Sequence, residues 1–326
     1  MKAVVCSKYG SPDVLKIEEI TKPVPKKHEL LIKVNTTAVT VGDSRVRAFR
    51  VPLSFWLIAK LILGVFKPRN PVLGSVFSGI VEDVGSDVTE YKKGDRVFGS
   101  NEHHFGVYAE YMTISHNACV ATLPKGYSFH EAAAVLWGGL TALYFMKKAK
   151  ITKDDTVLLN GASGSVGGSL LQLSSYLGAK VTGICSSGNI GHVKSLGAHN
   201  VIDYTRTDYK QSSTLYDLFI DAVGNSSILA TKKILTEKGR FIHLIATPAV
   251  QIKGLIALLF SQKKFIGGTA IPNKALLHEL KQYIEKDAIK PVIDRVYNMD
   301  EIVSAHEYVD MQHKKGDVLI QIEPIK

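Results

Sequence analysis

Up to Leu123-Pro124 the apolar residues come in short runs, Lys2–Val5, Leu30–Val34, Gly79–Val84 and Arg96–Phe98, separated by the turn clusters KYGSPD, TKPVPKKHE and YKKGD. Such runs between turn signals predict β-strands. Past that point the period changes. Glu131–Met146 is rich in Ala and Leu at helical spacing. Thr156–Asn160, Lys180–Ile184, Asn200–Ile202, Leu218–Ala222 and Arg240–Leu244 then read as short strands, apolar on both faces, with helical stretches between most of them. That alternation predicts a parallel sheet covered on both sides. A helix around Met299–Met311 and a strand-like VLIQIEP close the pattern, and no internal repeat interrupts it. The expected class is α/β with two domains, residues 1–123 with 290–326 and residues 124–289.

Two apolar stretches fall outside this scheme, Val51–Phe66 and Leu255–Phe260. Each is shorter than the roughly 20 apolar residues that a bilayer span needs, so no membrane span is expected. They predict a core or lid helix. The wall of a substrate pocket is compatible with that, and an interfacial membrane contact is the alternative.

At 326 residues the chain suits two domains, and 45% hydrophobic with 21% charged residues excludes a disordered, collagen-like or polytopic membrane protein. The formal charge of +10 admits an anionic partner. That partner could be nucleic acid, a membrane surface or a phosphorylated cofactor; the lysine pairs, from Lys26-Lys27 to Lys314-Lys315, are scattered, so no dedicated nucleic-acid surface is expected. Cys6, Cys119 and Cys185 are far apart and show no CxxC spacing, which excludes a disulfide framework and a four-Cys zinc lobe. The opening MKAVVCSKYGSPDVLKIEE picks up charge too early for a secretory signal, and the expected compartment is the reducing cytoplasm.

The most informative segment is TVLLNGASGSVGGSLLQLSSYLGAKVTGI. A strand, Thr156–Asn160, runs into Gly161–Gly167 and then into a helix from about Val166 to Leu177 that Gly178 stops. Gly161 permits the tight turn, Gly164 lets backbone approach a pyrophosphate, and Gly167 lets helix and strand pack closely. The helix N-terminus supplies N–H donors and the positive end of its dipole. In this strand–loop–helix–strand setting the glycines predict dinucleotide binding; an empty Gly-rich turn is the bland alternative. The second strand ends in Cys185-Ser186-Ser187-Gly188-Asn189, without the Asp or Glu that usually bonds an NAD ribose. Small hydroxyl residues there leave room for a 2′-phosphate, so NADP is expected over NAD.

The opening segment, GDRVFG at Gly94–Gly99, LPKGYSFHEAAAV at Leu123–Val135, GLTAL at Gly139–Leu143, NGASGSVG at Asn160–Gly167, SLGAHNVIDY at Ser195–Tyr204, DAVG at Asp221–Gly224 and the closing HKKGDVLIQI follow one another along nearly the whole chain. In this order they resemble the medium-chain dehydrogenase/reductase superfamily, in particular its zinc-free quinone oxidoreductase-like branch. The resemblance implies a GroES-like β domain built from both chain ends, with a Rossmann doubly wound parallel-sheet domain inserted between. It implies a homodimer joined through a strand near Lys264–Thr269. It places Thr141 at the nicotinamide ribose-phosphate end and Gly164, Ser165 and Val166 at the pyrophosphate. Ser186, Ser187, Asn189 and Tyr204 lie around the adenosine 2′-phosphate, and Ile245 and Phe265–Gly267 back the nicotinamide. Asn189 stands where some relatives carry Lys, which lowers the expected preference for NADPH. Ser186 and Ser187 as a plain polar turn, and Tyr204 as a core residue, are the structural alternatives.

Zinc-dependent relatives place ligands in three stretches that here read Thr40-Val41-Gly42-Asp43, Gly74-Ser75-Val76 and Trp137-Gly138-Gly139. None offers a thiolate or imidazole, and a catalytic zinc needs three protein ligands, so no zinc is expected. Hydride transfer without a Lewis acid suits an acceptor that is already electrophilic, a quinone or an α,β-unsaturated carbonyl. The expected function is an NADPH-dependent reductase of such acceptors. An NAD(P)-dependent alcohol dehydrogenase or carbonyl reductase, and a non-catalytic NADPH-binding scaffold, are the alternatives. Thr40 stands where quinone-reductase relatives often carry Asn, so its hydroxyl is the candidate donor to a carbonyl oxygen, with a turn-forming Thr the alternative. Asp43 and Arg47 have the spacing of a helical ion pair. Val76, Trp56 and the Val51–Phe66 stretch would bound an apolar pocket for a bulky hydrophobic substrate. His103-His104 reads as a surface pair, with His104 lining the substrate as the sharper alternative.

Overall fold

The computed structural model describes residues 1–51, 56–102, 104–244, 247–259 and 261–322. The elements run β1 (Lys2–Cys6), β2 (Leu15–Glu19), β3 (Glu29–Val39), α1 (Val41–Arg47), α2 (Trp56–Leu63), β4 (Val76–Val84), β5 (Arg96–Ser100), β6 (Tyr111–Ser115), β7 (Val120–Thr122) and α3 (Phe129–Ala149). Next come β8 (Thr156–Asn160), α4 (Ser165–Tyr176), β9 (Lys180–Cys185), α5 (Ile190–Ser195), β10 (Asn200–Asp203), β11 (Tyr216–Asp221), α6 (Ile228–Thr231), β12 (Leu235–His243), α7 (Pro248–Ala257) and β13 (Lys264–Gly267). Last are α8 (Lys274–Glu285), β14 (Ile293–Asn298), α9 (Ile302–Asp310) and β15 (Asp317–Gln321). They form two compact units, Met1–Trp137 with Pro272–Glu285 and Pro291–Lys326, and Gly138–Ile271 with Lys286–Lys290. Compared with the expected limits at 123/124 and 289/290, the first unit also takes the N-terminal part of α3 and all of α8.

In the first unit both ends of the chain build one sheet, in the order β14-β15-β3-β4-β5-β7, with β6 also paired to β3. The antiparallel pairing sets Val318 against Val39 and Gln321 against Thr36. β3 is the spine. Two register shifts, at Leu31/Ile32 and at Val34/Thr36, let it pair with β4 while it bends around the core. Leu30, Ile32, Phe77, Val97 and Ile320 fill that core beside Tyr108.

The second unit holds six parallel strands in the order β10-β9-β8-β11-β12-β13. The strand order reverses between β8 and β11, and in such sheets ligands bind beyond the carboxyl ends of the strands at that point. Phe219, Phe241 and Phe265 stand in register on β11, β12 and β13. Their rings stack, 5.2 Å apart for the first pair and 5.7 Å for the second, and Tyr209 stacks on Phe219 at 5.8 Å. This row is the apolar centre of one face of the sheet.

Of the core and lid readings of Val51–Phe66, the core one is corrected: α2 covers only part of the stretch, and Leu61, Ile62, Val65 and Phe66 are exposed. Leu255–Phe260 splits in the same way: Leu258 is buried, Leu255, Ile256 and Leu259 are exposed, and Phe260 lies outside the described residues. Among the described residues no helix is long and apolar enough to cross a membrane.

Candidate functional site

β8 ends at Asn160, and Gly161 turns the chain with φ +84°, the left-handed region that glycine tolerates. A Cβ at Gly167 would lie 2.0 Å from the Gly161 carbonyl oxygen, so α4 starts hard against the loop. At Gly164 a Cβ would meet only that oxygen, at 3.7 Å, so space is open there. Gly164 is the N-cap residue of α4 and offers no side-chain cap. The first N–H groups of the helix therefore lack an intrahelical or capping acceptor. The adjacent Ser165 hydroxyl is buried without a hydrogen-bond partner among the described residues. Gly138 of α3 makes room for this turn, because a Cβ there would lie 2.6 Å from the Ser165 carbonyl oxygen and from the Ser169 hydroxyl. Unsatisfied donors, an orphaned hydroxyl and a bare glycine fit a pyrophosphate.

The strand ends beside this loop are cross-linked. Asn160 Nδ2 donates to Asp221 Oδ1 at 3.0 Å and to Asn225 Oδ1 at 2.9 Å. Asp221, fully buried, also accepts the N–H groups of Gly224 at 2.9 Å and Ser226 at 2.7 Å, which shapes the DAVG turn. At the end of β9, Asn189 Nδ2 reaches both the Ser163 and the Ser186 hydroxyls at 3.3 Å, tying the glycine loop to the expected adenosine end. Tyr204 is exposed there, and its N–H donates to the Cys185 carbonyl at 3.1 Å. Thr141 lies half-buried on α3 and Val166 half-buried on α4. Gly267 receives Lys148 Nζ on its carbonyl at 3.0 Å. The Phe265 ring is committed to the aromatic row and to Gly254 of α7, which a Cβ would drive into that ring. Ile245 lies outside the described residues.

In the first unit Thr40 caps α1. Its hydroxyl donates to Asp43 Oδ2 at 2.6 Å and accepts the Asp43 N–H at 3.1 Å, while the Thr40 N–H donates to the same Oδ2 at 2.9 Å. The Ser75 hydroxyl adds a contact at 3.3 Å. Thr40 is 1% exposed and Asp43 fully buried. Burial pushes the Asp43 carboxyl up to about 6, against the opposing hydrogen bonds from Thr40. Glu102, beyond β5, is pushed up to about 7 by burial and then by the nearby Asp43. Neither Asp43 as an acid nor Glu102 stands out in the sequence, because only the fold buries them together.

The expected Asp43–Arg47 ion pair is replaced by another. Arg47 Nη2 pairs with Asp310 Oδ2 of α9 at 2.7 Å, and Ser44 and the exposed Arg50 bind the same carboxylate. Asp43 instead closes the capping box with Thr40, three positions back, where α1 begins. Of the expected substrate residues, Val76 is buried at the start of β4. Trp56 is 42% exposed, edge-on to Phe49 with Lys60 Nζ 4.0 Å over its ring. His104 is an exposed loop residue, and His103 lies outside the described residues.

The three stretches where zinc ligands would stand bring Thr40, Ser75-Val76 and Gly138, a donor set that does not fit zinc, which takes thiolate, imidazole or carboxylate ligands. Burial pushes the Cys6 thiol up to about 11 and the Cys119 thiol up to about 12. Among the described residues no three His, Cys, Asp or Glu side chains gather to hold a metal.

Residues 26–125 match the family described as alcohol dehydrogenase GroES-like domain, and residues 196–320 the family described as zinc-binding dehydrogenase. A 2-methylene-furan-3-one reductase of Solanum lycopersicum is 32% identical over 99% of this chain and 80% of its own length. An NADPH-dependent alkenal/one oxidoreductase of Arabidopsis thaliana, chloroplastic, is 29% identical over 98% of this chain and 79% of its own. The solved quinone oxidoreductase of Coxiella burnetii superposes with a TM-score of 0.88 at 29% identity, covering 99% of both chains.

Proposed function

This chain belongs to the quinone oxidoreductase-like branch of the medium-chain dehydrogenase/reductase superfamily, and from that premise we propose that it reduces quinones and α,β-unsaturated carbonyls with NADPH, without a catalytic metal. The observation that carries the reading is the uncapped start of α4 with its orphaned Ser165 hydroxyl, beside the reversal of strand order in a parallel sheet. A bound nicotinamide supplies a hydride from its C4. The chain's own residues bind and orient. The first N–H groups of α4 and the Ser165 hydroxyl take the pyrophosphate oxygens, Thr141 and Gly267 flank the nicotinamide end, and Ser186, Asn189 and Tyr204 flank the adenosine. The Thr40–Asp43 couple is the proposed donor to the acceptor's oxygen. With Asp43 ionised the Thr40 proton is committed to it; with Asp43 protonated the bond reverses and frees that proton for an oxyanion.

In an enone the hydride adds to the β-carbon and one proton from solvent ends on the α-carbon; in a quinone one hydride and one proton give the hydroquinone. Such acceptors are already electrophilic, which suits a site whose three candidate positions offer zinc no suitable ligands. Preference for NADPH is supported by the end of β9, Cys185-Ser186-Ser187, which carries no carboxylate. The printed name of the Arabidopsis relative points the same way. A hydrophobic acceptor is supported by Val76 and Trp56. Homodimer formation is supported by β13, which ends the parallel sheet. A cytoplasmic location is supported by three free, buried cysteines.

Product analysis tests the reading. From NADPH and a medium-chain 2-alkenal the saturated aldehyde is expected. The allylic alcohol would identify a carbonyl reductase instead, and no product from alkenal or quinone would move the weight to a cofactor-binding scaffold.

A further inference from the structure

Although β9 itself ends without an acid, the fold supplies one from the neighbouring strand. Asp203, the last residue of β10, stands in register with Cys185. Its Oδ2 accepts the Ser187 hydroxyl at 2.5 Å. Its Oδ1 accepts the Thr205 hydroxyl at 2.7 Å and the Thr205 N–H at 3.0 Å. The hydrogen bonds from Ser187 and Thr205 hold the Asp203 carboxyl below the usual carboxylate range. Arg206 Nε lies 3.7 Å away on a largely exposed side chain, and at that exposure its pairing offsets the charge only in part.

A serine hydroxyl has one proton to give. Ser187 gives its proton to Asp203, so toward a ligand it presents lone pairs only. Thr205 does likewise, and the two hydroxyl oxygens sit 3.1 Å apart. Ser186 differs, because its oxygen accepts Asn189 Nδ2 at 3.3 Å and its proton stays available. The loop thus offers one hydroxyl that can donate and one that can only accept, with a fixed negative charge behind the second. A ribose 2′-hydroxyl satisfies both. A 2′-phosphate has no proton to give Ser187 at neutral pH and is repelled by the carboxylate.

We infer that Asp203, acting through Ser187, sets the cofactor preference of this chain by weakening its hold on a 2′-phosphate relative to a 2′-hydroxyl, so that NADH serves beside NADPH. The inference rests on the cofactor reading above and deepens it: Ser186 and Tyr204 favour NADPH, and Asp203 limits how far. Asp203 is a positioning residue, since it reaches the nucleotide through Ser187.

The experiment is direct titration of NADPH and NADH, followed by nicotinamide fluorescence, on the full chain and its D203N, D203E and S187A variants. D203N is expected to improve NADPH binding about tenfold relative to NADH, the scale of one like-charge contact at a solvent-facing site. D203E keeps charge and acceptor and holds the ratio near that of the parent chain. S187A, which leaves Asp203 bound to Thr205, weakens NADH more than NADPH. Should D203N fail to fold, S187A carries the test alone. Binding of both cofactors with a ratio unmoved in S187A, or in a folded D203N, overturns the inference and leaves the cofactor reading standing. Binding of neither cofactor by the parent chain overturns both.

Discussion

Thr40 and Asp43 exchange hydrogen bonds across the first turn of α1: the hydroxyl gives its proton to Oδ2 at 2.6 Å and takes the Asp43 N–H at 3.1 Å. The pair is at once a helix cap and the candidate oxyanion donor, and the two roles separate by pH. Burial pushes Asp43 up to about 6, so the folded chain keeps this proton where the unfolded chain, near 3.8, has lost it. The stabilisation is complete below the unfolded value and disappears as pH rises through about 6. Between about pH 4 and about pH 8 the parent chain should therefore lose about 2 kcal/mol more stability than D43N, read from denaturant midpoints. Quinone reduction should rise as pH falls through the same value. T40V should lose that limb while E102Q keeps it, and a T40V profile that superimposes on the parent's would remove Thr40 from the chemistry.

Gly164 and Gly167 separate packing from binding. G167A puts a Cβ 2.0 Å from the Gly161 oxygen, backbone against backbone, and should cost about 1–3 kcal/mol as overpacking along with cofactor affinity. G164A meets nothing closer than 3.7 Å. Its melting temperature should stay at the parent's while cofactor binding falls, because the methyl group takes ligand space. Equal melting temperatures for all three proteins, or unaltered cofactor affinity in G164A, would contradict this division of roles.

What could be read from the sequence follows the range of the interactions. β8 falls on Thr156–Asn160 as expected, because a doubly apolar run followed by glycine is a local signal. α4 starts at Ser165 rather than Val166, because Gly164 and not a polar cap opens it. β12 begins at Leu235, ahead of the expected Arg240, but its register with β11 jumps from Leu235 to Arg240, so Glu237-Lys238-Gly239 sits in a bulge that suits its turn composition. The partners of Arg47 and Ser187 were out of reach. Asp310 lies 263 positions from Arg47, and Asp203 meets Ser187 only through the register of β9 and β10. The resemblance sets Phe265 behind the nicotinamide, and the stacking of its ring on Phe241 depends on the register of β12 and β13, which the sequence does not carry.

The Arg47–Asp310 pair holds α1 to α9 through a fully buried guanidinium. Removing one partner leaves a charge without compensation, so D310N should cost about 3 kcal/mol in denaturant unfolding. Arg50, itself a cation on the same carboxylate, cannot take the place of Asp310. A loss below about 1 kcal/mol would show the pair to be dispensable.

The central claim is that this chain passes a nicotinamide hydride to activated acceptors without help from a metal. Its most direct test is the consumption of NADPH, followed at 340 nm, with 9,10-phenanthrenequinone as acceptor, before and after exhaustive treatment with EDTA. Equal rates before and after chelation are predicted. A rate that collapses on chelation and returns with zinc would contradict the account.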